Sequence, residues 1–204
     1  MDTLRFPFST LPHEGPFTFV MVARMIADKG VREYVVAAGQ VARRHPDARF
    51  LLIGPLGVSN SSAIHLDEVA QWQSEGVVEY LGEQEDVRPC LTTISLAESH
   101  VLVLPSYREG MPRTVLEAAS MGRPAIVTDV PGCRQAVEKG VTGWLCQVRD
   151  ADSLAECMET CLTGRRSAMP RDTLLTAGRT ARERIEAEFD ERIVVEAALG
   201  LVRD

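Results

Sequence analysis

The chain has 204 residues, 45% of them hydrophobic and 25% charged, with a formal net charge of −7 at pH 7. That length and apolar content fit one large globular domain, or one domain with appended helices, and need no metal or disulfide staple to hold a core. The acidic balance excludes a general nucleic-acid binder, which needs a basic face to release counterions, but leaves room for a local basic pocket that takes a phosphorylated small molecule.

The first 15 residues show no period and are broken by Pro7 and Pro12, so they read as a linker or arm. From Pro16 onwards apolar runs follow at Phe17–Ala23, Arg49–Ile53, Val77–Leu81, Val101–Leu104, Ala125–Val127 and Gly143–Cys146. They are short, rich in Val, Leu, Ile and Phe, and bounded by Gly, Pro or charged residues. That is the pattern of strands buried on both faces of a parallel sheet. Helical stretches lie between them, at about 30–45, 64–75, 86–98, 113–121, 132–139 and 151–163. Asp86 is placed to cap the third of these, with Pro89 in its first turn. Ser153 and Glu156 stand at capping-box spacing in the last, with Asp152 as a rival cap. Six strands alternating with helices predict an α/β fold, a Rossmann-like doubly wound parallel six-stranded sheet over residues 16–165. Residues 166–204 are charged and periodic, with Leu174, Ile185, Phe189 and Val194 as apolar marks, and read as one or two C-terminal closing helices.

The five cysteines (Cys90, Cys133, Cys146, Cys157 and Cys161) form no Cys-x-x-Cys pair. Their odd number, without a secretory segment, points to reduced thiols and a cytoplasmic location. Cys157 and Cys161 share a helix face and are expected in the core. No apolar stretch approaches the roughly 20 residues of a membrane span, so any membrane contact is expected to be peripheral. The histidines have no metal-ligand spacing, and His100, just before the fourth strand, is placed for burial.

In a doubly wound sheet the ligand occupies the crevice beyond the strands' carboxyl ends, where strand order reverses. With the common order 3-2-1-4-5-6, that crevice opens between the first and fourth strands. The most unusual polar residues follow those two strands: Arg24…Lys29-Gly30 after the first, and Ser106-Tyr-Arg-Glu109-Gly110 after the fourth. Arg24, Lys29 and free helix amides starting near Gly30 suit a diphosphate, and cations there stabilise a departing one. Taken alone they are better explained as solvated loop charges; the cluster after the fourth strand turns the balance toward a site. On the other wall, Pro112 suits the first position of a helix, which would leave the amides of Arg113 and Thr114 unpaired toward the crevice. Glu117 lies about one turn further on. Along a helix, the separation of Glu109 and Glu117 would be roughly 12 Å, beyond the roughly 5 Å of a retaining hydrolase's carboxylate pair. Such a spacing suits two acceptors gripping opposite ends of an elongated ligand. A surface carboxylate at Glu117, and a Glu109 paired with Arg108 or Arg113, fit the spacing equally well.

Arg24…Lys29-Gly30 together with Glu109-Gly-Met-Pro-Arg-Thr-Val-Leu-Glu117 resembles the C-terminal domain of the GT-B family 4 retaining glycosyltransferases. Leu52-Ile-Gly54-Pro, Leu81-Gly82 with Asp86-Val-Arg88, Ala125–Asp129 and Gly140-Val-Thr-Gly143-Trp-Leu match as well, so the resemblance covers residues 16–203. Val20-Met-Val-Ala-Arg24, Tyr107–Thr114 and Asp129–Arg134 resemble bacterial enzymes that build lipid-linked oligosaccharides, such as N-acetylgalactosaminyltransferases.

The resemblance implies a UDP-sugar donor and no metal. Arg24 and Lys29 would contact the diphosphate, and Glu109 the hydroxyls of the transferred sugar. Glu117 would meet the ribose, the amides of Arg113 and Thr114 would cap the phosphates, and Gly82 and Glu83 would lie near the base. Gly30, Gly54, Gly110 and Met111 would complete the donor site. The family often has Gly where this chain has Pro112, so the backbone of residue 112 itself is not expected to contact phosphate. An Asp-x-Asp pattern, the metal motif of a different glycosyltransferase fold, occurs at Asp150-Ala-Asp152, but its place before a helix makes it a cap.

Family members run to about twice this length, so the chain is expected to be one half of a GT-B enzyme, cut from a longer protein or naturally truncated. The acceptor, a saccharide or an undecaprenyl-linked glycan, would sit in an N-terminal half at the cytoplasmic face of the inner membrane. The terminal helix 191–203 would then expose Ile193, Val194, Val195 and Leu199. Other readings remain open at this level: a UDP-sugar epimerase or sugar-nucleotide hydrolase of the same architecture, and a non-catalytic nucleotide-sugar-binding module.

Overall fold

The computed structural model describes residues 1–12, 14–84, 99–166 and 171–193. The expected helix at 86–98 with its Asp86 cap, Pro89 and Cys90, and the apolar residues Val194, Val195 and Leu199, lie outside the described residues.

The strands are β1 (Thr18–Val22), β2 (Arg49–Ile53), β3 (Glu79–Tyr80), β4 (Val101–Leu104), β5 (Ala125–Thr128) and β6 (Gly143–Cys146). They form one six-stranded sheet in the order β3-β2-β1-β4-β5-β6, parallel throughout. The side chains of β1, β2, β4 and β5 alternate between two buried layers. Phe19, Met21, Phe50, Leu52, Val101 and Val103 face one cluster, and Val20, Val22, Leu51, Ile53, Leu102 and Leu104 face the other. This double burial is why the runs carry almost no polar residues.

Helix α1 (Val31–Arg44) buries Val31, Tyr34, Val35, Ala38 and Val41, a 3.6-residue stripe laid on the first layer beside α5 (Ala151–Arg166). Its Tyr34 hydroxyl lies within hydrogen-bond distance of the carbonyls of Phe19, 3.1 Å, and Leu51, 3.2 Å, beneath neighbouring strands. Helix α2 (Leu66–Ser74) contributes Val69 to that layer. The opposite layer takes α3 (Arg113–Ser120) and α4 (Pro131–Ala136), with α6 (Arg171–Arg184) and the wider turn Ile185–Phe189 closing over them.

Several boundaries differ from the sequence pattern for identifiable reasons. The run Val77–Leu81 yields only a two-residue strand, because the Val77 amide is drawn back to Trp72 O at the end of α2. Helix α4 stops at Ala136: Val137 is extended, and the Glu138 amide donates to Thr142 Oγ1. The cap of α5 is neither Ser153 nor Asp152. Asp150 Oδ1 accepts the Ser153 amide at 2.8 Å, while Ser153 Oγ takes the Gln147 amide and Asp152 takes the Gln40 side chain. His100 is buried as expected, with Nδ1 accepting the Thr18 amide.

Among its described residues the amino-terminal arm has no helix or strand, yet it is held at Thr3, Phe6, Ser9 and Thr10. Thr3 donates to Asp190 Oδ2, Ser120 Oγ donates to Phe6 O, and Phe6 is buried against the second layer. The fully buried Arg123 guanidinium donates to Ser9 O, Ser9 Oγ and Thr10 O.

Candidate functional site

The order of the sheet puts the reversal point between β1 and β4, and the loops leaving their carboxyl ends face each other there. One wall is Ala23–Gly30, which ends in a single tight turn, Ala27–Lys29. The other is the loop Pro105–Pro112, which leads into α3.

The two walls touch. Gly30 is left-handed at φ 75, and a Cβ there would lie 2.2 Å from Pro105 O, so only glycine fits. Lys29 Nζ lies 2.5 Å from Glu109 Oε1, with side chains 23% and 11% exposed. Glu109 is therefore partnered across the crevice by Lys29, not along its own loop by Arg108 or Arg113. Arg108 pairs instead with Asp28 at 3.1 Å. Arg24 is exposed at the mouth, with no side-chain partner among the described residues.

Helix N-termini supply the remaining polarity. The Gly30 amide is already used by Ala27 O at 2.8 Å, because the tight turn folds back on it, so the free amides of α1 begin at Val31 rather than at Gly30. Pro112 is the extended residue capping α3, at φ −76 and ψ 99, not its first helical residue. Its carbonyl accepts the amides of Val115 and Leu116. The amides of Arg113 and Thr114 then have no hydrogen-bond partner among the described residues, as their position predicts. Glu117 is half-buried on the next turn of α3. Gly110 and Met111 are exposed on the loop between Glu109 and the helix.

Further along the rim, Gly54 is left-handed at φ 143, and a Cβ there would meet Ala23 O at 1.8 Å. Its amide donates to Gly82 O and its carbonyl accepts the Tyr80 hydroxyl. Gly54 thus ties the exits of β1, β2 and β3 together. Glu83 is exposed beside Tyr80, whose phenol is raised by burial and then by that nearby carboxylate. The polar loop at Ser59–Ser62 is anchored to the first wall, with Ser62 O accepting the Ala27 amide.

A model of the family "Glycosyl transferases group 1" matches residues 16–164. The chain belongs to that family. Among curated relatives of this group 1 chain, glycogen synthase of Mycobacterium tuberculosis is 28% identical over 198 residues, covering 97% of this chain and 45% of the relative. The Campylobacter jejuni N,N'-diacetylbacillosaminyl-diphospho-undecaprenol alpha-1,3-N-acetylgalactosaminyltransferase is 29% identical over 182 residues, covering 89% of this chain and 43% of the relative. The chain thus spans about half the length of these relatives. Its fold, half of a GT-B architecture, superposes on Anabaena HepE in complex with UDP with a TM-score of 0.81 at 20% identity, covering 100% of this chain and 55% of HepE. The C-terminal domain of the group 1 protein LpcC from Francisella tularensis gives a TM-score of 0.75 at 15% identity, covering 93% of this chain and 98% of that domain.

Several residues that shape the crevice have roles the sequence did not assign, although Thr128, Gly132 and Tyr107 lie in stretches that carry the resemblance. Gly132 has no positive φ, yet a Cβ on it would lie 2.2 Å from the carbonyl oxygens of both Glu109 and Gly110. Helix α4 is thereby a backstop for the Glu109 loop. Thr128 Oγ1 donates to Ser106 O beneath the same loop. Tyr107 crosses to α1, where its hydroxyl donates to Glu33 Oε1 at 2.7 Å, and the Arg149 guanidinium lies 4.5 Å above its ring. Burial, then the bond to Glu33, pushes the Tyr107 phenol up to about 12.

Among the described residues no helix is long and apolar enough to cross a membrane, and no three His, Cys, Asp or Glu side chains are grouped as metal ligands. Four free cysteines are described, and Cys161 is buried in the core beside the half-buried Cys157.

Proposed function

We propose that this chain is the donor-binding half of a retaining glycosyltransferase. It would hold a UDP-sugar from which a hexose or N-acetylhexosamine passes to a lipid-linked or polysaccharide acceptor. The observation that carries the reading is the Lys29–Glu109 contact, which joins the wall after β1 to the wall after β4; the exposed Arg24 lies on the first wall, and the free amides of Arg113 and Thr114 begin the helix that follows the second. In this reading the two cations and the helix amides neutralise the charge that builds on the departing nucleoside diphosphate, so protein groups supply the stabilisation without a metal. Glu109 accepts hydroxyls of the transferred sugar, and Glu117 accepts a ribose hydroxyl. Gly30 and Gly54 let backbone approach backbone where the walls meet, and Gly110, Met111, Gly82 and Glu83 complete the rim toward the sugar and base. The family match and the group 1 relatives, one of which is named for transfer to an undecaprenol-linked sugar, support the reading. So does the fold shared with a protein crystallised with UDP.

In that arrangement the Lys29–Glu109 pair has to open when donor enters. Phosphate oxygens replace the carboxylate at Lys29, and sugar hydroxyls replace the ammonium at Glu109. The acceptor and its binding half, at the cytoplasmic face of a membrane, belong to the same proposal. Titration calorimetry with UDP tests the reading: the chain binds UDP, transfers no sugar alone, and loses about 1–2 kcal/mol of UDP affinity in Glu117→Ala. Undiminished UDP affinity in Glu117→Ala removes Glu117 from the site, and no UDP binding at all overturns the reading.

A further inference from the structure

The loop Pro105–Met111 has no helix or strand of its own, yet it carries Glu109 and delivers the chain to the amides of α3. A segment without backbone ladders stays ordered only where individual contacts fix it. Tyr107 does so at both ends. Its amide donates to Asp28 O at 2.9 Å on the opposite wall, and its hydroxyl donates to the Glu33 carboxylate on α1. A carboxylate acceptor makes this one of the stronger hydrogen bonds available to a phenol, and the raised phenol keeps its proton throughout the neutral range.

Two unfavourable features are retained around this one side chain. Arg149, whose guanidinium roofs the ring, has φ 58, the sole non-glycine residue with positive φ among the described residues. Left-handed backbone is costly for a residue with a Cβ and persists only where its surroundings impose it. The second carboxylate oxygen of Glu33, Oε2, is buried without a hydrogen-bond partner, a state that folded proteins rarely keep. Both costs fall on residues whose shared contact is the Tyr107 side chain, two positions from Glu109.

We propose that Tyr107 is a positioning residue for nucleoside diphosphate binding: braced by Glu33 below and Arg149 above, it holds the loop that presents Glu109 and the α3 amides. The proposal rests on the donor-site reading. Removing the brace lets the loop drift from the geometry in which the free amides and Lys29 meet the same phosphates, so affinity falls before stability does.

The test measures UDP affinity by calorimetry, melting temperature, and hydrogen exchange of the Tyr107–Gly110 amides in the full chain. Tyr107→Phe keeps the ring and removes one hydrogen bond. It should weaken UDP binding about fivefold and speed exchange of the Tyr107 amide, which donates to Asp28 O. Glu33→Gln, which keeps an acceptor, should lose less affinity than Glu33→Ala. Arg149→Gly relieves the left-handed backbone while removing the roof, so UDP binding weakens as the melting temperature holds or rises, a split that a merely structural role would not produce. Wild-type UDP affinity in both Tyr107→Phe and Arg149→Gly overturns the proposal. If the wild-type chain itself does not bind UDP, the donor-site reading fails on its own. The brace is then judged by exchange, and unchanged protection of the Tyr107 amide in Tyr107→Phe overturns it.

Discussion

Gly132→Ala puts a methyl group where the structure has no room for one. Gly132 is the second residue of α4, and its added Cβ would lie 2.2 Å from the carbonyl oxygens of Glu109 and Gly110. Ordinary contact begins at 3.4 Å against the 2.2 Å here, a shortfall of 1.2 Å that backbone must absorb on one side or the other. Helix α4 is pinned by the buried Cys133 and Ala136, whereas the facing loop is exposed at Arg108 and Gly110. The loop therefore yields. A displacement of about 1 Å at ligand-facing groups is enough to cost a site up to about 100-fold where alignment matters. Part of the strain also appears as lost stability, about 1–3 kcal/mol. UDP titration and urea unfolding of Gly132→Ala, run beside Gly39→Ala, separate the two effects. Gly39 lies inside α1 with its Cβ position at 3.6 Å from Val77 Cγ1, so alanine there is accommodated and adds about 0.5–1 kcal/mol of stability through helix propensity. Gly132→Ala with wild-type UDP affinity and wild-type stability would refute the view that α4 backs the Glu109 loop.

Arg123→Met should destabilise the chain by about 3 kcal/mol, because it leaves the carbonyls of Ser9, Thr10 and Met121 without their buried donor. It should also speed tryptic cleavage after Arg5, and unchanged cleavage would show that the arm is held elsewhere. Burial pushes the thiols of Cys133 and Cys146 up to about 11 and about 12. The native state therefore keeps protons that the unfolded chain releases above about pH 9. The contribution of these thiols is then flat below about pH 9 and falls by about 1.4 kcal/mol per thiol for each pH unit from there toward 11. Urea midpoints at pH 8 and pH 10 check this, and Cys133→Ala should flatten the slope if the thiol is its source.

The sheet was legible because β1, β2, β4 and β5 are buried on both faces. Val101–Leu104 and Arg49–Ile53 read as strands from composition alone, and the assumed order placed the crevice where β1 and β4 diverge. Features decided by competition for backbone groups were not legible. Val77 is apolar and β-branched, but its amide goes to Trp72 O. Asp150, Asp152 and Ser153 all have capping chemistry, and only the path of the chain selects Asp150. Arg24, Lys29, Glu109 and the unpartnered amides of Arg113 and Thr114 could be singled out as candidates because charge and helix starts are local signals. The Lys29–Glu109 contact joins residues far apart in sequence, and no spacing encodes it. Gly132 is harder still, since its φ is ordinary and its meaning lies in an approaching carbonyl. Arg123 looks like a surface charge in the sequence, and it becomes buried because the arm, which reads as a linker, folds back over it.

Amide NMR of the chain titrated with UDP tests the proposed donor crevice directly. The largest shifts should fall on Val31 and Arg32 at the start of α1 and on Arg113 and Thr114 at the start of α3, with Glu117 following. Shifts confined to surfaces away from the β1–β4 exit, or none at saturating UDP, would contradict a nucleotide-sugar site in that crevice.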